Sequence, residues 1–167
     1  ILCSLFLTVV QASPIPPAPN LNVKAYVIMD FDSKMILASS NKDLTLPPAS
    51  ITKMMTAYVA FTELKENNIS LDEEILVSKK AWKTGGSKMF IEVGKKIKVR
   101  DILQGVITVS GNDASVALAE HISGDEKTFA TYMNQMASNL GLKNTNYTNA
   151  TGLPNDSLYT TAEDISL

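Results

Sequence analysis

The stretch Leu46-Pro-Pro-Ala-Ser-Ile-Thr-Lys-Met-Met-Thr56 passes within a few residues from backbone that cannot be helical to backbone that favours a helix. Pro47 and Pro48 lack amide hydrogens and have fixed φ angles, so they forbid an earlier helix start. Ser50 follows as a favoured N-terminal cap, and a helix is expected to begin near it. From Ile51, the residues Met54, Met55, Tyr58, Val59 and Phe61 lay an apolar stripe that stops before Glu63-Leu-Lys-Glu-Asn-Asn68. That pattern predicts a buried helix.

Upstream of this helix, Val23 to Phe31 and Met35 to Ala38 are rich in β-formers, and Asp32-Ser33-Lys34 between them suits a tight turn. A β-hairpin is expected there. Before it, residues 13–21 are proline-rich and read as an extended leader. The first ten residues, Ile1 to Val10, form an apolar run too short to span a bilayer, followed by the small residue Ala12. Residues 1–12 read as the tail of an export signal, with cleavage expected after Ala12, and the mature domain occupies residues 22–167.

Downstream, Ile75-Leu-Val77, Met89-Phe-Ile91 and Ile97-Lys-Val99 are short strand candidates in a glycine-marked stretch. Helices are expected over Asp101 to Ile107, Asp113 to Ile122 and Glu126 to Leu140, the last stopped by Gly141. Thr160 and Glu163 have the spacing of a capping box.

The 167 residues carry a net charge of -2, with 45% hydrophobic and 19% charged residues, which is the composition of an ordinary globular protein. No segment collects Lys or Arg into a block, which argues against nucleic acid as a partner. Cys3 is the single cysteine and has no neighbours at metal-ligand spacing, so neither an internal disulfide, a metal site nor a cofactor is expected.

Ser50 and Lys53 stand three residues apart at a helix start, which puts hydroxyl and amine on one face a single turn apart. A serine hydroxyl is a weak nucleophile until a base takes its proton, and a neutral amine can be that base. Burial against Met54 and Met55 and the positive end of the helix would both favour the neutral amine. The spacing alone is not diagnostic. Ser39 and Lys42 have it too, in a polar turn where nothing would fix their geometry, and a cap beside a surface lysine reads the same way.

A second element, Val109-Ser-Gly-Asn-Asp-Ala114, breaks two apolar helical segments and offers a hydroxyl and an amide side by side. Such a break can line a cleft, or Ser110 and Asn112 can be simple caps. His121, the only histidine, lies among apolar helix residues and reads as structural, which leaves little room for a Ser-His-Asp triad. Met54, Met55, Met133 and Met136 are assigned to the core, and Asp72, Glu73 and Glu74 to a solvated helix or turn start.

Ser-x-x-Lys heading an apolar helix, followed after a helical stretch by Ser-x-Asn, resembles the penicillin-binding protein and β-lactamase superfamily. The Ser-Gly-Asn form, with Leu46-Pro-Pro-Ala-Ser-Ile-Thr-Lys, Ser110-Gly-Asn-Asp-Ala-Ser and Leu140-Gly-Leu-Lys-Asn-Thr, is similar to low-molecular-mass D-alanyl-D-alanine carboxypeptidases. The resemblance runs from about Asn22 to the end of the chain. It implies an α+β fold, with an antiparallel sheet flanked by helices and joined to a mostly helical subdomain, the active site lying between. It also implies Ser50 as the acylated residue, Lys53 and Ser110 as its proton-transfer partners and Asn112 as a substrate-binding residue. The implied partners are peptidoglycan stem peptides and β-lactam antibiotics, the implied location the periplasm or outer face of the bacterial membrane. Membrane association through a C-terminal anchor is a further implication.

A third family element, Lys-Thr-Gly, follows the second in such proteins. Lys83-Thr84-Gly85 precedes it and is assigned to a turn near the site, so the matching triplet is expected beyond Leu167. A β-lactamase, a non-catalytic wall-binding module and a helical domain whose motifs are only caps remain the alternatives at this stage.

Overall fold

The computed structural model describes residues 17–167; the export-signal reading and the first part of the leader lie outside them. The chain forms an α+β fold with two antiparallel strand pairs and a helical body. Strand β1 (Tyr26–Met29) pairs with β2 (Ile36–Ser40), Val27 facing Ser39 and Ile28 facing Ala38. The expected hairpin is present, but its turn begins earlier. The Asp30 carboxylate accepts from the Ser33 amide at 2.8 Å, and Lys34 takes a left-handed φ of 57°. The Ser33 hydroxyl, which donates to the same oxygen at 2.5 Å, and then the Ser33 amide hold the Asp30 carboxyl below the usual carboxylate range.

A short 3-10 turn, Ala49–Ile51, leads into helix α1 (Thr52–Lys65). Then come β3 (Glu74–Leu76), α2 (Lys79–Lys83), β4 (Lys96–Lys98), α3 (Val99–Thr108), α4 (Asn112–Ser123), α5 (Glu126–Asn139) and α6 (Ala162–Ser166). β3 and β4 pair in register, Ile75 opposite Ile97. Helix α4 runs through the middle of the body, and every residue from Asn112 to Ala119 is buried. It separates two apolar clusters. One gathers Ile75, Val77, Val99, Ile102, Val106 and Leu118; the other gathers Met55, Val59, Phe129, Met133 and Tyr147. Each fully buried side chain of this size contributes roughly 1.5–3 kcal/mol of transfer free energy.

Four expectations need correction. The buried face of α1 is Thr52, Met55, Thr56, Val59 and Ala60, at helical spacing, whereas Met54, Tyr58 and Phe61 lie on the outer face and Met54 is 64% exposed. Threonine is tolerated on the inner face where its hydroxyl has a partner: Thr56 Oγ1 donates to the Ala150 carbonyl at 2.8 Å. Second, Met89-Phe-Ile91 is not a strand. The amides of Met89 and Ile91 donate to the buried Asp113 carboxylate at 2.8 and 3.2 Å, and Phe90 sits at φ 63°, so no ladder can form. Third, Val99 starts α3 instead of ending a strand, and the short helix α2, capped by Ser78, was not foreseen. Fourth, α6 is capped by Thr161, one residue later than expected. Its side chain accepts from the Asp164 amide at 3.1 Å, while Glu163 pairs with Lys42.

His121 is structural, as expected: its Nε2 lies 2.5 Å from Glu73 Oε1, tying the end of α4 to the entrance of β3. Glu73 is thereby engaged rather than simply solvated, and Asp72 pairs with Arg100 at 2.6 Å.

Candidate active site

The backbone before Ser50 is bent to present it. Ala49 adopts φ 47°, a left-handed conformation that costs an alanine energy and persists only where surroundings enforce it. Gly152, at φ 82°, makes room for it: a Cβ there would overlap the Ala49 carbonyl. Ser50 therefore stands in the 3-10 turn ahead of α1, exposed, and does not act as the expected cap. Ile51 holds the cap position and makes no side-chain bond. The Ser50 hydroxyl is left free for chemistry, with Lys53 Nζ at 3.4 Å.

Lys53 is 5% exposed and donates to the Thr151 carbonyl at 2.7 Å. Among the described residues no carboxylate forms an ion pair with it. Burial without a counter-charge pushes its pKa down, the direction a general base requires.

Ser110 is reached from the other side, at the break between α3 and α4. Its φ of 54° is again left-handed, and its Oγ is buried with no hydrogen-bond partner among the described residues. Ser50, Lys53 and Ser110 line one cavity of about 250 Å³, with Met54, Ala57, Val106 and Ile107 completing the wall. The structure thus brings together two hydroxyls and an amine that are up to 60 positions apart in the sequence. A larger depression of about 820 Å³ lies behind Ala49 and Gly152 but contains no activated nucleophile.

Asn112 is placed differently. It is buried at the head of α4, where its Nδ2 donates to the Gly85 carbonyl and its backbone amide to Ser87, each at 2.7 Å. Gly86 sits at φ 83°, a left-handed conformation that favours glycine, and a Cβ there would come within 2.5 Å of the same Nδ2. Lys83-Thr84-Gly85, expected as a turn, instead closes helix α2 at Lys83 with Thr84 in the cap position, and only Gly85 enters the turn that packs against Asn112.

Sequence reasoning missed the Thr151 carbonyl and the loop that carries it. Asn149-Ala-Thr-Gly152 has the composition of a side-chain-supported turn, which marks it as a loop without saying what it faces.

A family model described as D-alanyl-D-alanine carboxypeptidase matches residues 11–167. The chain belongs to the D-alanyl-D-alanine carboxypeptidase family. Among members of this family, D-alanyl-D-alanine carboxypeptidase DacA of Haemophilus influenzae is 42% identical over 152 residues, covering 89% of this chain and 39% of that protein. The solved structure of D-alanyl-D-alanine carboxypeptidase DacD from Francisella tularensis superposes with a TM-score of 0.87 at 44% identity, covering 90% of this chain and 37% of that one. Penicillin binding protein 5 from Haemophilus influenzae superposes with a TM-score of 0.87 at 42% identity, covering 89% and 44% respectively. This carboxypeptidase-family chain spans less than half the length of each of these relatives.

Proposed function

We propose that this chain carries the nucleophile and base of a serine-type D-alanyl-D-alanine carboxypeptidase that trims peptidoglycan pentapeptides. The observation that carries this reading is the convergence of Ser50, buried uncharged-partner Lys53 and Ser110 on one cavity. Neutral Lys53 takes the Ser50 proton as Oγ bonds to the carbonyl joining the last two D-alanines. The C–N bond then breaks, the proton passes through Ser110 to the departing amine, and terminal D-alanine leaves. Water hydrolyses the acyl-enzyme and restores the hydroxyl. The Ser50 backbone amide, at the helix head, supplies one donor for the developing oxyanion. Asn112, anchored through its Nδ2, offers its side-chain oxygen to the substrate's backbone amide or to Lys53.

β-Lactams acylate Ser50 on this reading, because their strained amide imitates the scissile bond. On this reading residues 1–12 would direct export to the periplasm or the outer face of the cytoplasmic membrane, and a membrane anchor would be C-terminal; among the described residues no helix is long and apolar enough to cross a membrane. The test is mass spectrometry of the protein, at its full natural length, after benzylpenicillin treatment. A penicilloyl group on the Ser50 peptide that persists for minutes supports the carboxypeptidase. Turnover in seconds points to a β-lactamase, and no adduct overturns the reading.

A further inference from the structure

Lys53 owes its position to a carbonyl, and that carbonyl owes its position to one side chain. Asn149 Oδ1 accepts from the Thr151 amide at 3.1 Å, the Thr151 hydroxyl at 2.9 Å and the Gly152 amide at 2.7 Å. Its Nδ2 donates to the Leu153 carbonyl at 3.0 Å and to Thr148 Oγ1 at 3.3 Å. The Thr151 hydroxyl, oriented by this contact, accepts in turn from the Leu153 amide at 3.1 Å. The loop is thus wound around the Asn149 amide, and two successive carbonyls point from it onto α1: Ala150 to Thr56 and Thr151 to Lys53.

We infer that Asn149 is a positioning residue, whose side-chain amide fixes the Thr151 carbonyl against Lys53 while adding no charge beside the amine. The inference rests on the reading of Lys53 as the base. Only an amide meets both requirements. A carboxylate could accept the same three donors, but it would face the Leu153 carbonyl without a proton to give and would place a negative charge next to the lysine's acceptor. Among the described residues, the elements around Lys53 present no other ionisable group to its amine. The cavity wall offers Ser50, Ser110 and apolar side chains. Asp113 on α4 faces the amides of Met89 and Ile91. On α5, Glu126 accepts from the Ala150 amide at 3.2 Å and is paired with Lys80 at 2.7 Å, behind the loop.

The test compares wild type, Asn149→Asp, Asn149→Ala and the control Asn155→Ala, whose side chain supports the same loop only through the Ser157 amide at 2.9 Å. Two quantities are read on the protein at its full natural length: the pH titration of Lys53 by ¹³Cε NMR, and the pH profile of Ser50 acylation by a fluorescent penicillin. Asn149→Asp is expected to raise the Lys53 midpoint, and with it the acidic limb of the profile, by on the order of one pH unit. Asn149→Ala is expected to lower the plateau rate about tenfold or more, as a misplaced base does. Asn155→Ala should change neither. The inference is overturned if Lys53 titrates in Asn149→Asp as in wild type, or if Asn155→Ala reproduces the changes. If wild type is not acylated at all, the functional reading fails, while the Lys53 titration still decides the role of Asn149.

Discussion

Lys53 Nζ donates to the backbone carbonyl of Thr151 at 2.7 Å, although the two residues are 98 positions apart. This contact anchors the amine without neutralising it. A carbonyl accepts a hydrogen bond from either protonation state of the amine, whereas a carboxylate would lock in the ammonium.

Burial lowers the Lys53 pKa from 10.5, so the neutral amine accumulates as pH rises through that lowered value. Ser50 acylation should therefore increase with pH through a limb lying below 10.5. Lys53→Arg, whose guanidinium stays charged, should acylate at least about a hundredfold more slowly at every pH, within the usual range for loss of a general base. Stopped-flow acylation with a chromogenic cephalosporin measures both.

Two threonines on the buried face of α1 should respond oppositely to removal of the hydroxyl. Thr56→Val strands the buried Ala150 carbonyl and should cost about 1–3 kcal/mol. Thr52 Oγ1 is buried without a partner among the described residues, so Thr52→Val should be neutral or stabilising. Urea unfolding midpoints of the two variants, compared at equal m-values, provide the check.

Gly152→Ala should damage the site more than its small size suggests. The new methyl group would collide with the Ala49 carbonyl, and φ 82° is unfavourable for alanine. A loss of roughly 1–3 kcal/mol in stability is expected from the strain, together with slower acylation as the Ser50 turn is pushed aside. A crystal structure of the variant with Ala49 and Ser50 unmoved would contradict this.

The Glu73 carboxyl is held below its ordinary value of 4.5, chiefly by its bond to His121. A depressed acidic pKa contributes stability that is present above the unfolded value and lost as pH falls through the folded one. Both side chains are partly exposed, so the contribution is modest. Glu73→Gln should accordingly be less stable than wild type at pH 6, with the difference shrinking as pH falls below 4.5, as read by denaturant titration.

The sequence by itself determined the local frame: the helix after Pro48, the one-turn spacing of Ser50 and Lys53, the break at Ser110 and the helix that stops ahead of Gly141. These depend on proline's missing donor, on 3.6-residue periodicity and on turn chemistry, all of which act within a few residues. The resemblance carried by the two motifs pointed to the family.

Only the tertiary structure decided which face of α1 is buried, because Met54 and Met55 are equally apolar and their fates depend on where α4 and α5 pack. It also diverted the Met89–Ile91 backbone from a strand, since the Asp113 carboxylate that binds it comes from another helix. The shared cavity of Ser50, Lys53 and Ser110, and the carbonyl that holds the amine, are likewise long-range facts. Hydrogen bonds formed across 98 positions leave no periodic trace in the chain, so their partners become visible only once the backbone has closed around them.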